Sequence, residues 1–227
     1  MYIITIDGTA SSGKSTIAKF VADKLNIAHI NSGEAYRAIA YFMLSKGISP
    51  DDSQSIKNAL EQNSFKMLYN NGAQTLLVNG EDVTKHLHTN QINAVVSQYA
   101  QNPQVIHKAS DMARDVSKSM SVVMEGRNLG SFCFPEAKYK FFVDCDAKER
   151  ANRRFKEMQQ KGVDVDFDTI YQQTLERDKL DRTREVAPLV VPKNAIVLDS
   201  TTQTAEQVAQ KIVNVVLDNE NKAYINM

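Results

Sequence analysis

Eight contiguous residues, Gly8-Thr9-Ala10-Ser11-Ser12-Gly13-Lys14-Ser15, constrain the fold of this 227-residue chain more than any other stretch. They complete the pattern G-x-x-x-x-G-K-[ST], and the flanks suit it. Tyr2-Ile3-Ile4-Thr5-Ile6 before the loop has the β-branched richness of a buried strand, and Ile17 to Leu25 after it carries apolar residues at helical spacing. Strand, glycine loop and helix in that order make a cradle for phosphate. The glycines let successive backbone N–H groups turn inward, and the helix adds the positive end of its dipole. Lys14 is placed to reach β- and γ-phosphates and the Ser15 hydroxyl to hold Mg²⁺. Gly8, Thr9, Ala10, Ser11, Ser12, Gly13, Lys14, Ser15 and Thr16 are therefore expected to bind a nucleoside triphosphate.

The rest of the chain reads as an α/β protein. Ala28-His29-Ile30 leads to Asn31-Ser32-Gly33 and a helical pattern through Tyr36, Ile39, Ala40, Met43 and Leu44, and Asp51 to Gln62 reads as a further helix after the turn signals Gly47 and Pro50. From Ser64 the period changes. Phe65, Met67 and Tyr69 alternate, Asn70-Asn71-Gly72 supplies a turn, and Leu76 to Val78 returns, which is a hairpin. Helical patterns follow over Thr89 to Ala100 and Pro103 to Ser117. Strands are then expected at Val122-Val123-Met124, Tyr139 to Val143 and Ala195 to Leu198, with a last helix over Thr204 to Leu217 and a frayed tail from Asn219 to Met227. About five parallel strands with helices between them result, and in such a sheet ligands gather at the carboxyl ends of the strands. The glycine loop, Asn31-Ser32-Gly33, Glu125-Gly126-Arg127 and Asp144 all fall there.

Composition narrows the partners. Lys+Arg and Asp+Glu both total 27, so no excess positive charge argues for long nucleic acid. The two cysteines, Cys133 and Cys145, form no C-x-x-C pair, no secretory leader pattern is visible, and no apolar run approaches the ~18 residues of a membrane span. A cytoplasmic protein is expected. His86 and His88 stand close together but His29 and His107 stand alone, with no spacing typical of a metal site. Nor does a Ser/His/Asp arrangement announce itself.

Against this neutral background, arginines cluster at Arg150-Ala151-Asn152-Arg153-Arg154 and from Arg177 to Arg184. Phosphoryl transfer requires positioning and neutralisation of charge on the moving group, a task suited to guanidinium forks. Arg37 and Arg127 are expected to face the loop and to supply donors for a second phosphate. The N-K-x-D guanine signature of switch GTPases is absent.

In these residues the chain resembles the bacterial cytidylate kinase family of nucleoside monophosphate kinases. The likeness rests on the phosphate loop, Ser32-Gly33-Glu34-Ala35-Tyr36-Arg37, Asn79-Gly80-Glu81-Asp82-Val83, Gly126-Arg127-Asn128-Leu129-Gly130 with Phe134-Pro135, Glu176-Arg177-Asp178 with Asp181-Arg182, and Ala187-Pro188-Leu189. It implies transfer of the ATP γ-phosphoryl group to CMP or dCMP with Mg²⁺. Ser32, Arg37, Arg127 and Arg184 would hold the acceptor nucleotide and its phosphate, Arg177 and Asp181 its ribose. Lys14, Arg127, Arg153 and Arg184 would stabilise the transferred charge, and Arg150, Arg153 and Arg154 lie in a segment similar to the family's lid. The implied architecture is a three-layer P-loop kinase core: 1–63 and 91–145 build core and acceptor site, 64–90 is a small inserted β-containing domain, 146–185 the arginine-rich lid and following helix, and 186–227 the last strand and helix. A monomer acting on small nucleotides is expected.

The chain departs from the family pattern at the base. The family reads cytosine with a serine, a carboxylate and an arginine. Ser97 matches the first, but Asn128 and Ile106 stand at the other two positions, with Asn102 and Ser110 near enough on the same helix to substitute. An amide supplies donor and acceptor alike, so uracil is less obviously rejected. A kinase for UMP or a modified pyrimidine nucleotide, and a P-loop sensor without turnover, are the rival readings. Glu125 replaces the usual aspartate, and His88 stands where the inserted domain often has arginine.

Overall fold

The structure, a computed structural model, describes the backbone of residues 1–225 and the side chains of 1–220. The local patterns of the sequence translate into a sheet of five parallel strands in the order β2-β6-β1-β7-β8. Its strands are β1 (Ile3–Gly8), β2 (Ala28–Asn31), β6 (Val122–Gly126), β7 (Tyr139–Asp144) and β8 (Ile196–Asp199).

Alternation along these strands creates the layers. Ile4 and Ile6 of β1, Val123 of β6 and Phe141 and Val143 of β7 pack against Ile17 and Val21 of α1 (Lys14–Leu25) and Val208 and Ile212 of α8 (Ala205–Ile225). Val122 and Met124 face the other way, with Ile30, into a cluster built by α2 (Gly33–Ser45), α3 (Ser53–Gln62), α4 (Asn90–Tyr99) and α5 (Pro103–Val116). A run of near-continuous apolar residues is what a strand covered on both faces needs. Helix on sheet on helix, the arrangement expected from the sequence, results.

The hairpin forms as read, from β3 (Phe65–Asn70) and β4 (Ala73–Val78) paired antiparallel. Asn71 and Gly72 at its tip both have positive φ, 53° and 77°, the combination that lets a two-residue turn follow the strand twist. A third strand, β5 (Glu81–Asp82), adds to β4 and was not legible because two acidic residues carry no periodicity. Phe65, Met67, Leu76, Val78, Val83 and Leu87 join the same apolar cluster as α2 and α5. The inserted unit thus shares its core with that half of the protein.

Several boundaries moved, most of them by a residue or two. α3 starts at Ser53, not Asp51, because the Asp52 carboxylate caps it by accepting from Ser55 N–H. The last helix continues to Ile225 where a frayed tail from Asn219 was expected; residues 226–227 lie outside the described residues. The arginine-rich segment consists of α6 (Ala147–Gln160) and α7 (Phe167–Thr183), packed on each other.

Candidate active site

β1 delivers the phosphate loop. Gly8 has φ +151°, and a Cβ there would lie 2.1 Å from the Val143 carbonyl oxygen of the neighbouring strand, so no side chain fits. Gly13, φ 87°, ends the loop and α1 begins at Lys14. The Lys14 ammonium is buried and donates to the Thr9 carbonyl and, at 3.2 Å, to Ser12 Oγ. Burial pulls its pKa well below the ordinary 10.5, and the neighbouring Arg127 charge adds to this, against the pull of Glu125, Asp7 and Asp181.

Two strand ends converge beside the loop. Asp7, fully buried, accepts from Leu129 N–H at 2.8 Å and Gly130 N–H at 2.7 Å, tying the loop to the π-helical turn Leu129–Cys133. Burial raises its pKa while those two N–H groups oppose the rise. Glu125, near the end of β6, accepts from Ser15 Oγ at 2.8 Å, and His29 Nε2 lies 3.4 Å from its other oxygen, Oε1, which has no well-aligned hydrogen-bond partner. Burial pushes the Glu125 pKa up, but His29, Ser15 and Lys14 together hold it below the ordinary value. A hydroxyl beside an ionised carboxylate with an unused buried oxygen fits Mg²⁺, which takes oxygen ligands and needs few from the protein when phosphates supply the rest. Among the described residues no cluster of three or more His, Cys, Asp or Glu competes for a metal.

The acceptor-side residues line the same cavity, of about 460 Å³. Ser32 donates through Oγ to the Glu125 carbonyl at 2.8 Å, and Gly126 is required beside it, since a Cβ there would approach Ser32 Oγ to 2.5 Å. Arg127 Nε pairs with Asp181 at 3.1 Å. Arg184 donates through Nε to the Ala187 carbonyl at 2.7 Å, but its buried Nη2 has no partner; neither has the Nε of Arg177. Burial and the nearby charge of Arg127 pull the Arg177 pKa down to about 10. Arg37 reaches Leu87 O at 3.2 Å and Asn93 Oδ1 at 2.7 Å, while the buried Glu34 takes His88 at 3.2 Å. Seven cationic side chains, Lys14, Arg37, Arg127, Arg153, Arg154, Arg177 and Arg184, face three carboxylates, Glu125, Glu157 and Asp181. Like charges crowded around unpartnered N–H groups suit an anion such as phosphate.

Of the residues singled out from sequence, Ser11 to Thr16, Ser32, Arg37, Ser97, Arg127, Asn128, Arg153, Arg177, Asp181 and Arg184 come together around this cavity. Gly8, Thr9 and Ala10 do not line it; they shape the loop from behind, Thr9 and Ala10 through their carbonyls. Arg150, grouped by sequence with Arg153 and Arg154, also lies outside. It is 2% exposed and forms a two-pronged pair with Asp178 of α7 while donating to Ala10 O and Cys145 O, so it fastens α6 and α7 to the loop. Arg153, one turn on, sits over the loop, donating to Ser200 O at 2.6 Å and Glu149 at 3.0 Å. Asn102 and Ser110 do not replace a base-reading arginine. Asn102 caps α5 through Gln104 and Val105 N–H, both residues are buried, and neither lines the cavity. Ile106 is fully buried as well. Asn31, Gly33, Glu125, Gly126 and Arg154, which the sequence placed at strand ends or in the arginine-rich segment, also line the cavity, and so do Tyr36, Val96, Ala100 and Glu157, to which it gave no site role. Tyr36 and Ala100 carried a signal, lying within or three residues from motif positions.

A family model described as cytidylate kinase matches residues 4–218. The chain is 39% identical over 213 residues to the cytidylate kinase of Clostridium botulinum (strain Langeland), covering 94% of this chain and 96% of that one. It is 38% identical over 210 residues to the cytidylate kinase of Caldicellulosiruptor saccharolyticus, covering 92% and 93%.

Proposed function

The chain belongs to the cytidylate kinase family, and from that premise we propose how its residues divide the work. It is an ATP-dependent nucleoside monophosphate kinase that phosphorylates CMP and dCMP, giving the diphosphate and ADP. One observation supports the assignment of residues: the phosphate loop, the acceptor-side arginines and, from the lid, Arg153 and Arg154 border one cavity.

Residues Ser11 to Thr16 hold the ATP phosphates through backbone N–H groups, and Lys14 leaves the Thr9 carbonyl for the β- and γ-phosphates. Ser32, Arg37, Arg127 and Arg184 hold the acceptor phosphate, Arg177 and Asp181 its ribose, and Ser97 with Asn128 the base. An acceptor phosphate oxygen attacks the γ-phosphorus in line and the bond to the β-phosphate oxygen breaks. A phosphate monoester has its second pKa near ~6, so the attacking oxygen is already ionised and no side chain has to serve as base. Lys14, Arg127, Arg153 and Arg184 act through charge alone, stabilising the three equatorial oxygens of the moving group. Ser15 and Glu125 would hold Mg²⁺, which supplies further neutralisation of the phosphates. α6 and α7 close as a lid that excludes water.

The domain division given above belongs to this reading, as do a monomeric state, a cytoplasmic setting and the absence of a nucleic-acid partner. The balanced totals of 27 cationic and 27 anionic residues and two buried free cysteines support it. Among the described residues no helix is long and apolar enough to cross a membrane.

Coupled detection of ADP with ATP and Mg²⁺ tests the proposal. ADP should form with CMP and with dCMP and not in their absence. ADP release independent of acceptor, or none with either, would refute it.

A further inference from the structure

The cavity is unevenly charged. Lys14 and the arginines surround the phosphate loop and the acceptor side, whereas the wall built by Tyr36, Val96, Ser97, Ala100 and Asn128 contains no charged side chain. α2, which carries Tyr36, packs on α4, which carries Val96 and Ser97 and is capped by Ala100, and the Asn128 side chain lies beside the Tyr36 hydroxyl. An aromatic ring, two small or branched apolar groups and two neutral polar groups suit a flat heterocycle.

Asn128 is the telling member of this wall. It is 4% exposed, it borders the cavity, and its Nδ2 is buried beside the Tyr36 hydroxyl without a well-aligned hydrogen bond. A buried amide donor left unpaired is costly, so it is matched to an acceptor that arrives with the ligand. The position where the family has an arginine supplies no charge here, since Ile106 is fully buried and outside the cavity, and Asn102 spends its amide on the cap of α5 and on Ser53.

A carboxamide fits either pyrimidine. With Nδ2 directed to O4 and Oδ1 to N3–H it makes two hydrogen bonds with uracil; turned over, Oδ1 accepts from the N4 amino group and Nδ2 donates to N3 of cytosine. A carboxylate in that place has acceptors only, and would favour the cytosine amino group while repelling uracil O4.

Building on the kinase reading above, we infer that the protein phosphorylates UMP as well as CMP, and that Asn128 is the residue that sets this breadth. The γ-phosphoryl transfer is the same for both acceptors, because the base takes no part in bond making. Selectivity is weak for a physical reason. Sites that leave a buried polar group unpaired with the wrong substrate discriminate by about 10⁴-fold, whereas sites without that penalty reach about 200-fold at most.

The experiment compares kcat/KM for CMP and UMP in the wild type and in Asn128→Asp, together with the Kd of each nucleotide by calorimetry. The expected wild-type preference is below about 200-fold in both measures, and Asn128→Asp should shift the ratio towards CMP by at least about tenfold, since both bases lose the Nδ2 donor but only cytosine offers the carboxylate a donor at position 4, where uracil sets its O4 against it. A wild-type preference beyond that bound, or a ratio unmoved by Asn128→Asp, would overturn the inference. The kinase reading fails separately, by binding of CMP without turnover, and the Kd ratio still decides the base question in that event. Should Asn128→Asp not fold, the wild-type ratios alone decide.

Discussion

Without nucleotide, the Lys14 ammonium turns back onto the carbonyl of Thr9 within its own loop, buried and beside Arg127. Its pKa is lowered in the free protein and stays at the ordinary 10.5 in the unfolded chain. Between those two values the unfolded chain binds more protons, so this group makes the free protein more stable as pH rises and less stable as pH falls through the window. A bound triphosphate reverses the imbalance by raising the Lys14 pKa. ATP binding should therefore take up protons in the alkaline range below 10.5, seen as a dependence of the calorimetric enthalpy on buffer ionisation. Lys14→Met should abolish that uptake, reduce kcat by about 10²- to 10³-fold, and leave Tm no lower, because it removes a desolvated charge. Equal uptake in both proteins would refute the account. The loop itself was readable because its eight residues are contiguous. The pairing of Asp7 with Leu129, 122 residues away, was not.

Two arginines one helical turn apart on α6 do different work. Arg150 joins α6 to α7 and to the phosphate loop through Asp178, Ala10 and Cys145, whereas Arg153 faces the cavity. Removing one partner of a buried ion pair costs about 3 to 5 kcal/mol, so Arg150→Ala should lower stability by that order in urea unfolding. Arg153→Ala should lose little stability, because its Glu149 pair is half-exposed, while kcat falls by about 10²-fold or more. The reverse pattern would exchange their roles. At the hairpin, Asn71→Ala forces a Cβ-bearing residue without a compensating side chain into φ 53°, at a cost of about 1 to 2 kcal/mol, measurable as a drop in Tm. Periodicity placed the hairpin, and Asn-Gly marked its turn. The division between Arg150 and Arg153 depends on where α7 lies, and a charge run does not say which of its members is turned inward.

Across the whole molecule, the inserted unit is linked to the cavity by the Gln74 side chain of β4, which accepts from Asn31 N–H at 2.9 Å and donates to the Asn31 carbonyl at 3.0 Å, and by two charged residues of α2 that reach the segment after β5. Arg37 reaches from α2 to the Leu87 carbonyl and to Asn93, and Glu34 beside it takes His88. A phosphate that draws on Arg37 must share or break those bonds, so acceptor binding should alter amide hydrogen exchange in the segment from Glu81 to Asn93. CMP should change exchange there in the wild type and have a much smaller effect in Arg37→Ala at saturating CMP. A change of equal size in both would show that the segment responds by another route.

The order of strands and helices, the phosphate loop and the family were determined by the sequence itself, because each is written in contiguous residues or in a period of two or 3.6. Only the tertiary structure decided which arginines line the cavity and which hold helices together, that Asn102, Ile106 and Ser110 are withdrawn into packing or capping, and that Asn128 Nδ2 and Arg184 Nη2 are buried without a well-aligned hydrogen bond. Those outcomes depend on burial and on partners tens to more than a hundred residues away in the chain. No local pattern encodes them, since the same side chain is structural or functional according to what packs across from it.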